Sequence, residues 1–253
     1  MAGAPFPAPL LRSVRAVVLD TDGVITDTAR LHAAAWKGAF DAALAAAGAG
    51  PPFDAVEEYR RHVDGRSRED GAAAFLAARG LSLPLGAPDD PPGTGTVRAV
   101  AARKEELFTA RLRTEGVAVW PGTVRLLEAL RDAAVPCAAV SASRHATELL
   151  DTAGVLGLLR VVVDGREAAR LRLPGKPDPA LFLEAALRLG VAARDTAVVE
   201  DALAGVEAGR RGGFGLVIGV DRTAGPTSAA DLRRHGADAV VGDPGELLTA
   251  GGD

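Results

Sequence analysis

Two aspartates separated by one residue close an apolar run in "AVVLDTDGV" (16–24). Carboxylates held that close resist ionising together unless a cation joins them. Asp20 and Asp22 are not alone. The run "CAAVSAS" (137–143) ends on Ser141 and Ser143, the loop "PGKPDP" (174–179) carries Lys176, and "TAVVED" (196–201) ends on Glu200 and Asp201. Acids with no cysteine or histidine beside them suit a hard, oxygen-loving ion, most simply Mg²⁺, which keeps positions open for phosphate oxygens. A lysine and a serine hydroxyl would supply the remaining charge and hydrogen bonds around a phosphoryl group. In that chemistry Asp20 attacks phosphorus and Asp22 handles the proton. Turn formation is the competing account of Asp20 and Asp22, because Asp-Gly after a strand is ordinary turn chemistry. That account must, however, explain four strand ends at once.

The elements that must position these groups read as strands alternating with helices. Short β-rich runs recur at 16–20, 137–143, 161–164, 196–201, 215–220 and 237–241, several apolar throughout, as strands covered on both faces are. Helical patterns lie between them at 123–134 and 178–190, the second with Asp178 as N-cap, Pro179 at the first helical position and Gly190 past its end. The expected fold class is α/β, a doubly wound parallel sheet with a Rossmann-like core. Residues 28–113 break the rhythm. They contain helical segments at 28–47, 54–63, 67–79 and 97–113 and a proline-rich loop at 83–96, but no convincing strand. The expected domains are therefore a catalytic core of 14–27 and 114–245 and an inserted helical cap of 28–113. Residues 1–13 and 246–253 read as flexible tails.

Within the insert, His32 and Trp36 stand four residues apart and share a helix face, where each alone reads most simply as structural. Ser67 reads as an N-cap with Asp70 three residues on. Arg68 then falls in the first helical turn, where the helix dipole disfavours a cation. Either a neighbouring acid, Glu69 or Asp70, offsets that, or the guanidinium is held there to grip a phosphate. Lys104 lies on the apolar stripe Val97, Val100, Ala101, Phe108 and Leu112, from which it either snorkels or projects toward a ligand.

The chain resembles the haloacid dehalogenase superfamily, and within it the β-phosphoglucomutase-like branch. "DTDGV" (20–24) matches the first superfamily motif, Ser141 the second, Lys176 the third, and Glu200 with Asp201 the acidic fourth. The resemblance runs from about Arg15 to Val241. It implies an aspartyl-phosphate at Asp20 and Mg²⁺ held by Asp20, the backbone carbonyl of Asp22, Glu200 and Asp201. "TDTARLHAAAW", "GRSRED", "ARKEELF" and "SASRH" resemble further segments of that branch, which implies substrate-binding roles for His32, Trp36, Arg68, Lys104, Ser143, Arg144 and His145. His145 stands where the branch has asparagine, Ala202 where it has serine, and the loop 83–96 lengthens the cap.

The implied activity is Mg²⁺-dependent phosphoryl transfer between the 1 and 6 positions of a hexose phosphate, through the 1,6-bisphosphate. A sugar-phosphate phosphatase on the same scaffold is the alternative, and a non-catalytic sugar-phosphate sensor a remote one. A P-loop, a dinucleotide fingerprint, an EF-hand and a serine-hydrolase elbow are all missing. Scattered basic residues and a net charge of −4 speak against nucleic acid. The lone cysteine, Cys137, excludes an intrachain disulfide, and no apolar run approaches the ~18 residues of a membrane span. "MAGAPFPAPLL" makes a poor signal peptide. The expectation is a cytoplasmic monomer without a membrane partner.

Overall fold

The computed structural model describes residues 3–222 and 228–251. They divide into two compact units, Met1–Asp27 with Ala118–Asp253, and Thr28–Val117. The first unit is built on six parallel strands in spatial order β4-β3-β2-β5-β6-β7. These are β2 (Ala16–Asp20), β3 (Cys137–Val140), β4 (Val161–Val163), β5 (Thr196–Glu200), β6 (Leu216–Val220) and β7 (Ala239–Val241). Chain order reverses between β2 and β5, the switch point at which doubly wound sheets bind ligands beyond the carboxyl ends of their strands.

The apolar runs form strands because both faces of the sheet are covered, and every residue of β2, β3, β5 and β6 is buried. Successive side chains of a strand point to opposite faces. Val17, Leu19, Ala197 and Val199 accordingly pack with Leu126, Leu127 and Leu130 of α4 (Pro121–Asp132) on one side. Ala16, Val18 and Val198 pack on the other with Phe182 and Ala185 of α7 (Ala180–Leu189) and Val206 of α8 (Leu203–Arg211). Each fully buried aliphatic side chain contributes about 1.5–3 kcal/mol. The remaining helices of this unit are α5 (Ala146–Thr152), α6 (Gly165–Leu171) and α9 (Ser228–His235). Helix α7 begins one residue later than its sequence suggests, and Asp178 accepts the Ala180 N–H at 3.0 Å. Cys137 is buried, which pushes its thiol up to about 12.

The expected tails are structured where they are described. Strand β1 (Gly3–Pro7) pairs antiparallel with β8 (Leu248–Gly251) in a two-stranded sheet of their own. Prolines are tolerated there because such a ribbon is all edge. The ribbon is anchored by the Ala8 N–H to the Leu247 carbonyl at 2.8 Å, and by Leu11 and Leu247, each 2% exposed.

The second unit holds α1 (Ala29–Ala47), α2 (Arg68–Ala78) and α3 (Val97–Glu115) around Trp36, Phe40, Phe53, Phe75 and Val100. Phe40, Phe53 and Phe75 meet mutually at 4.1–4.9 Å between ring centroids. Helix α3 runs beyond residue 113, so the boundary lies after Val117. The helix expected over 54–63 is shorter. Asp54 accepts the N–H groups of Val56 and Glu57, and a wide π turn follows over Tyr59–Val63. Among the described residues, no helix is long and apolar enough to cross a membrane.

Candidate active site

Parallel pairing aligns Asp20 with Val140 and Glu200 with Gly219, so β2, β3 and β5 deliver their last residues to one end of the sheet. Asp20, 5% exposed, and Glu200, fully buried, face each other there. The fully buried ammonium of Lys176 bridges them, donating to Asp20 Oδ1 and, at 2.6 Å, to Glu200 Oε2. Lys176 also sits 4.9 Å from the centroid of the Phe182 ring. Burial first, then the charge of Glu200, pushes the Asp20 carboxyl well above the usual carboxylate range. Burial works to lower the lysine, but Asp20 and Glu200 outweigh it and hold the ammonium charged.

Asp22 lies two residues past the end of β2 and accepts a 3.0 Å hydrogen bond from Ser141 Oγ at Oδ2. That hydroxyl in turn accepts the Ser143 N–H at 3.0 Å, and Ser143 Oγ accepts the His145 N–H at 3.2 Å. Arg144 continues this loop into α5. Thr21, between the two aspartates, turns away from them and donates to the Val140 carbonyl at 3.0 Å. The Thr21 hydroxyl is thus kept apart from the two flanking carboxylates.

A divalent cation fits this end of the sheet. Carboxylate oxygens of Asp20, Glu200 and Asp201 lie within 4.8 Å of one another, an all-oxygen donor set suited to a hard ion. Two glycines let these carboxylates pack close against the backbone. A Cβ on Gly23, whose φ is +85°, would collide with the Asp201 carboxylate, and one on Gly205 would collide with Glu200.

The sequence-predicted cap residues form a group of their own. Lys104 is 2% exposed, and its Nζ lies 2.8 Å from His32 Nδ1 and 4.4 Å from the Phe108 ring centroid. An ammonium only donates, so His32 accepts at Nδ1 and carries its proton on Nε2. Trp36 is buried and stacks on Phe40 at 4.6 Å. Ser67 caps α2 as expected, but neither Glu69 nor Asp70 balances Arg68. Its guanidinium instead meets Glu105 of α3 at 2.8 Å.

Sequence reasoning missed the residues that fix the loop after Asp22. Thr123 Oγ1 donates to the Val24 carbonyl at 2.6 Å, the Trp120 N–H to Ile25 at 3.0 Å, and Arg222 Nε to Gly23 at 2.7 Å. Partners 95 to 199 positions away leave no local signal.

A parallel sheet of this order, with a helical insert after its first strand and acids, serine and lysine at the strand ends, defines a family. Residues 14–213 match the family model described as haloacid dehalogenase-like hydrolase, and the chain belongs to that family. It is 46% identical over 244 residues to a β-phosphoglucomutase of Mycobacterium bovis, spanning 94% of this chain and 93% of that protein. It is 31% identical over 227 residues to the β-phosphoglucomutase of Bacillus subtilis, spanning 87% and 88%. A solved haloacid dehalogenase family hydrolase of Deinococcus radiodurans, with bound phosphate and sodium, is 30% identical with a TM-score of 0.63, spanning 97% and 94%. The chain is accordingly an enzyme, a phosphomutase or phosphatase.

Proposed function

We propose that the enzyme interconverts β-glucose 1-phosphate and glucose 6-phosphate through the 1,6-bisphosphate, moving the phosphoryl group by way of Asp20. The observation that carries the reading is the buried Asp20–Lys176–Glu200 bridge at the switch point, with Asp22 and Ser141 beside it. A buried carboxylate is an effective nucleophile only where nearby positive charge favours its ionised form, and Lys176 acts in that direction on Asp20.

An oxygen of Asp20 forms a bond to phosphorus as the bond from phosphorus to the sugar oxygen breaks. Asp22 gives its proton to that departing oxygen and later takes one from the hydroxyl that attacks the aspartyl-phosphate. Ser141 orients the Asp22 carboxyl throughout. Mg²⁺ would be held by Asp20, Glu200, Asp201 and the Asp22 carbonyl, where it supplies positive charge that offsets repulsion between carboxylate and phosphate. The reaction takes place in the 1,6-bisphosphate, so a second phosphate must be held while the first reacts. Arg68 is the residue we assign to it, with Lys104, His32, Trp36, Ser143, Arg144 and His145 contributing to the sugar and phosphate contacts.

The Arg68–Glu105 pair is partly exposed, at 21% and 25%, and such pairs contribute about 0–1 kcal/mol. A bidentate guanidinium–phosphate contact is stronger, roughly 1.5–3 kcal/mol, so Arg68 can exchange one partner for the other. Arg68→Ala should therefore lower isomerase activity on β-glucose 1-phosphate by about 10²-fold. Hydrolysis of a small generic phosphate ester, which has no second phosphate, should change by less than about threefold, with little change in Tm. Both assays on one preparation of wild type and variant make the test. Equal losses in both would remove Arg68 from phosphate binding, and a wild type that hydrolyses but never isomerises would leave the phosphatase reading.

A further inference from the structure

The side chain of Arg222 touches none of the groups that react, yet it ties the loop that carries one of them to the Asp243 turn. It lies two residues past the end of β6, and its side chain is 14% exposed. Nε donates to the Gly23 carbonyl at 2.7 Å and Nη2 to the Val24 carbonyl at 3.4 Å. Nη1 donates to the Gly242 carbonyl at 3.3 Å and to Asp243 Oδ2 at 3.2 Å. The flat face lies 3.9 Å from the centroid of the Trp120 ring. Trp120 is itself bonded to this loop, through its N–H to Ile25. Asp243 is fixed independently: its carboxylate caps the turn Pro244–Leu247, and a Cβ on Gly122 would collide with it.

We propose that Arg222 is a positioning residue for the acid/base step. It clamps the Gly23–Val24 carbonyls against β6 and the Asp243 turn, so that Asp22 keeps its carboxyl on Ser141 and Gly23 keeps its close approach to Asp201. The proposal rests on the assignment of Asp22 as acid/base made above. A guanidinium is required because the task needs three edges and a stacking face at once, and a lysine offers a single ammonium that cannot reach all four acceptors.

Arg222→Ala and Arg222→Lys, made in the full chain, decide it, with kcat and KM measured for hydrolysis of p-nitrophenyl phosphate as well as for isomerisation. Displacing a catalytic group by an ångström costs up to ~10²-fold, so Arg222→Ala should lower kcat about 30-fold in both assays while KM stays within about threefold. Arg222→Lys should recover part of that loss. Amide exchange over 21–26 should quicken in both variants while that of β5 stays as in the wild type. Should the alanine variant not fold, the lysine variant decides on the same readouts. A kcat within about twofold of wild type per folded molecule, a loss confined to KM or Tm, or unchanged exchange over 21–26 overturns the proposal. Because hydrolysis shares the Asp22 step, a wild type that does not isomerise would defeat the mutase reading and still leave Arg222 under test.

Discussion

Asp20→Asn is expected to lose at least about 10⁴-fold in turnover, ~5.5 kcal/mol of barrier, while remaining folded. The amide cannot form the bond to phosphorus, and the neighbouring Asp22 carboxyl is held on Ser141 rather than in its place. Stability should survive for a specific reason. In the wild type, burial and the charge of Glu200 both oppose ionisation of Asp20, and Lys176 must offset them. Removing the charge of Asp20 leaves Lys176 and Glu200 as a balanced buried pair at 2.6 Å. Denaturant unfolding should therefore place the variant within about 1 kcal/mol of wild type. A folded variant keeping more than about a tenth of the wild-type rate would remove Asp20 from the mechanism.

Lys176→Met should fail in the opposite way, losing both activity and stability. It leaves Asp20 and Glu200 confronting each other in a buried setting with no ammonium between them. Stripping one partner from a buried ionic network costs about 3–5 kcal/mol, a large share of the ~5–15 kcal/mol a domain has. Turnover should fall by at least about 10³-fold, because the nucleophile is then favoured as a neutral acid. Added Mg²⁺ should raise the unfolding midpoint of the variant more than that of the wild type, since a cation bound among Asp20, Glu200 and Asp201 relieves the repulsion the lysine had screened. Wild-type stability without Mg²⁺ would show that the bridge carries no weight.

The two variants also mark how far sequence reaches. Asp20, Ser141, Lys176 and Glu200 were legible because each closes an apolar run or follows a punctuated loop, and strand ends of a parallel sheet converge by topology. The α3 stripe was legible for the same reason of periodicity: Val97, Val100, Ala101, Lys104 and Phe108 are buried, and Leu112, near the helix end, is only half-buried. What was not legible is pairing across long separations. Nothing near Arg68 announces Glu105, thirty-seven positions on, in place of Glu69 or Asp70. Nothing near residue 3 announces that Gly3 will pair with Gly251. Short proline-bearing ends carry weak propensity, and only the partner strand makes them β. Arg222 belongs with these, since a surface-looking arginine after a strand becomes a clamp only once Gly23, Val24 and Asp243 are brought to it.

The measurement that bears most directly on the central claim is product partition. Wild-type enzyme should be supplied with β-glucose 1-phosphate, Mg²⁺ and a catalytic amount of the 1,6-bisphosphate, and glucose 6-phosphate and free phosphate followed together. Transfer through Asp20 to a sugar hydroxyl predicts that glucose 6-phosphate accounts for nearly all the substrate consumed, with free phosphate a minor product and a rate that collapses when the bisphosphate is withheld. Free phosphate released in step with substrate loss, with no glucose 6-phosphate formed, would contradict it.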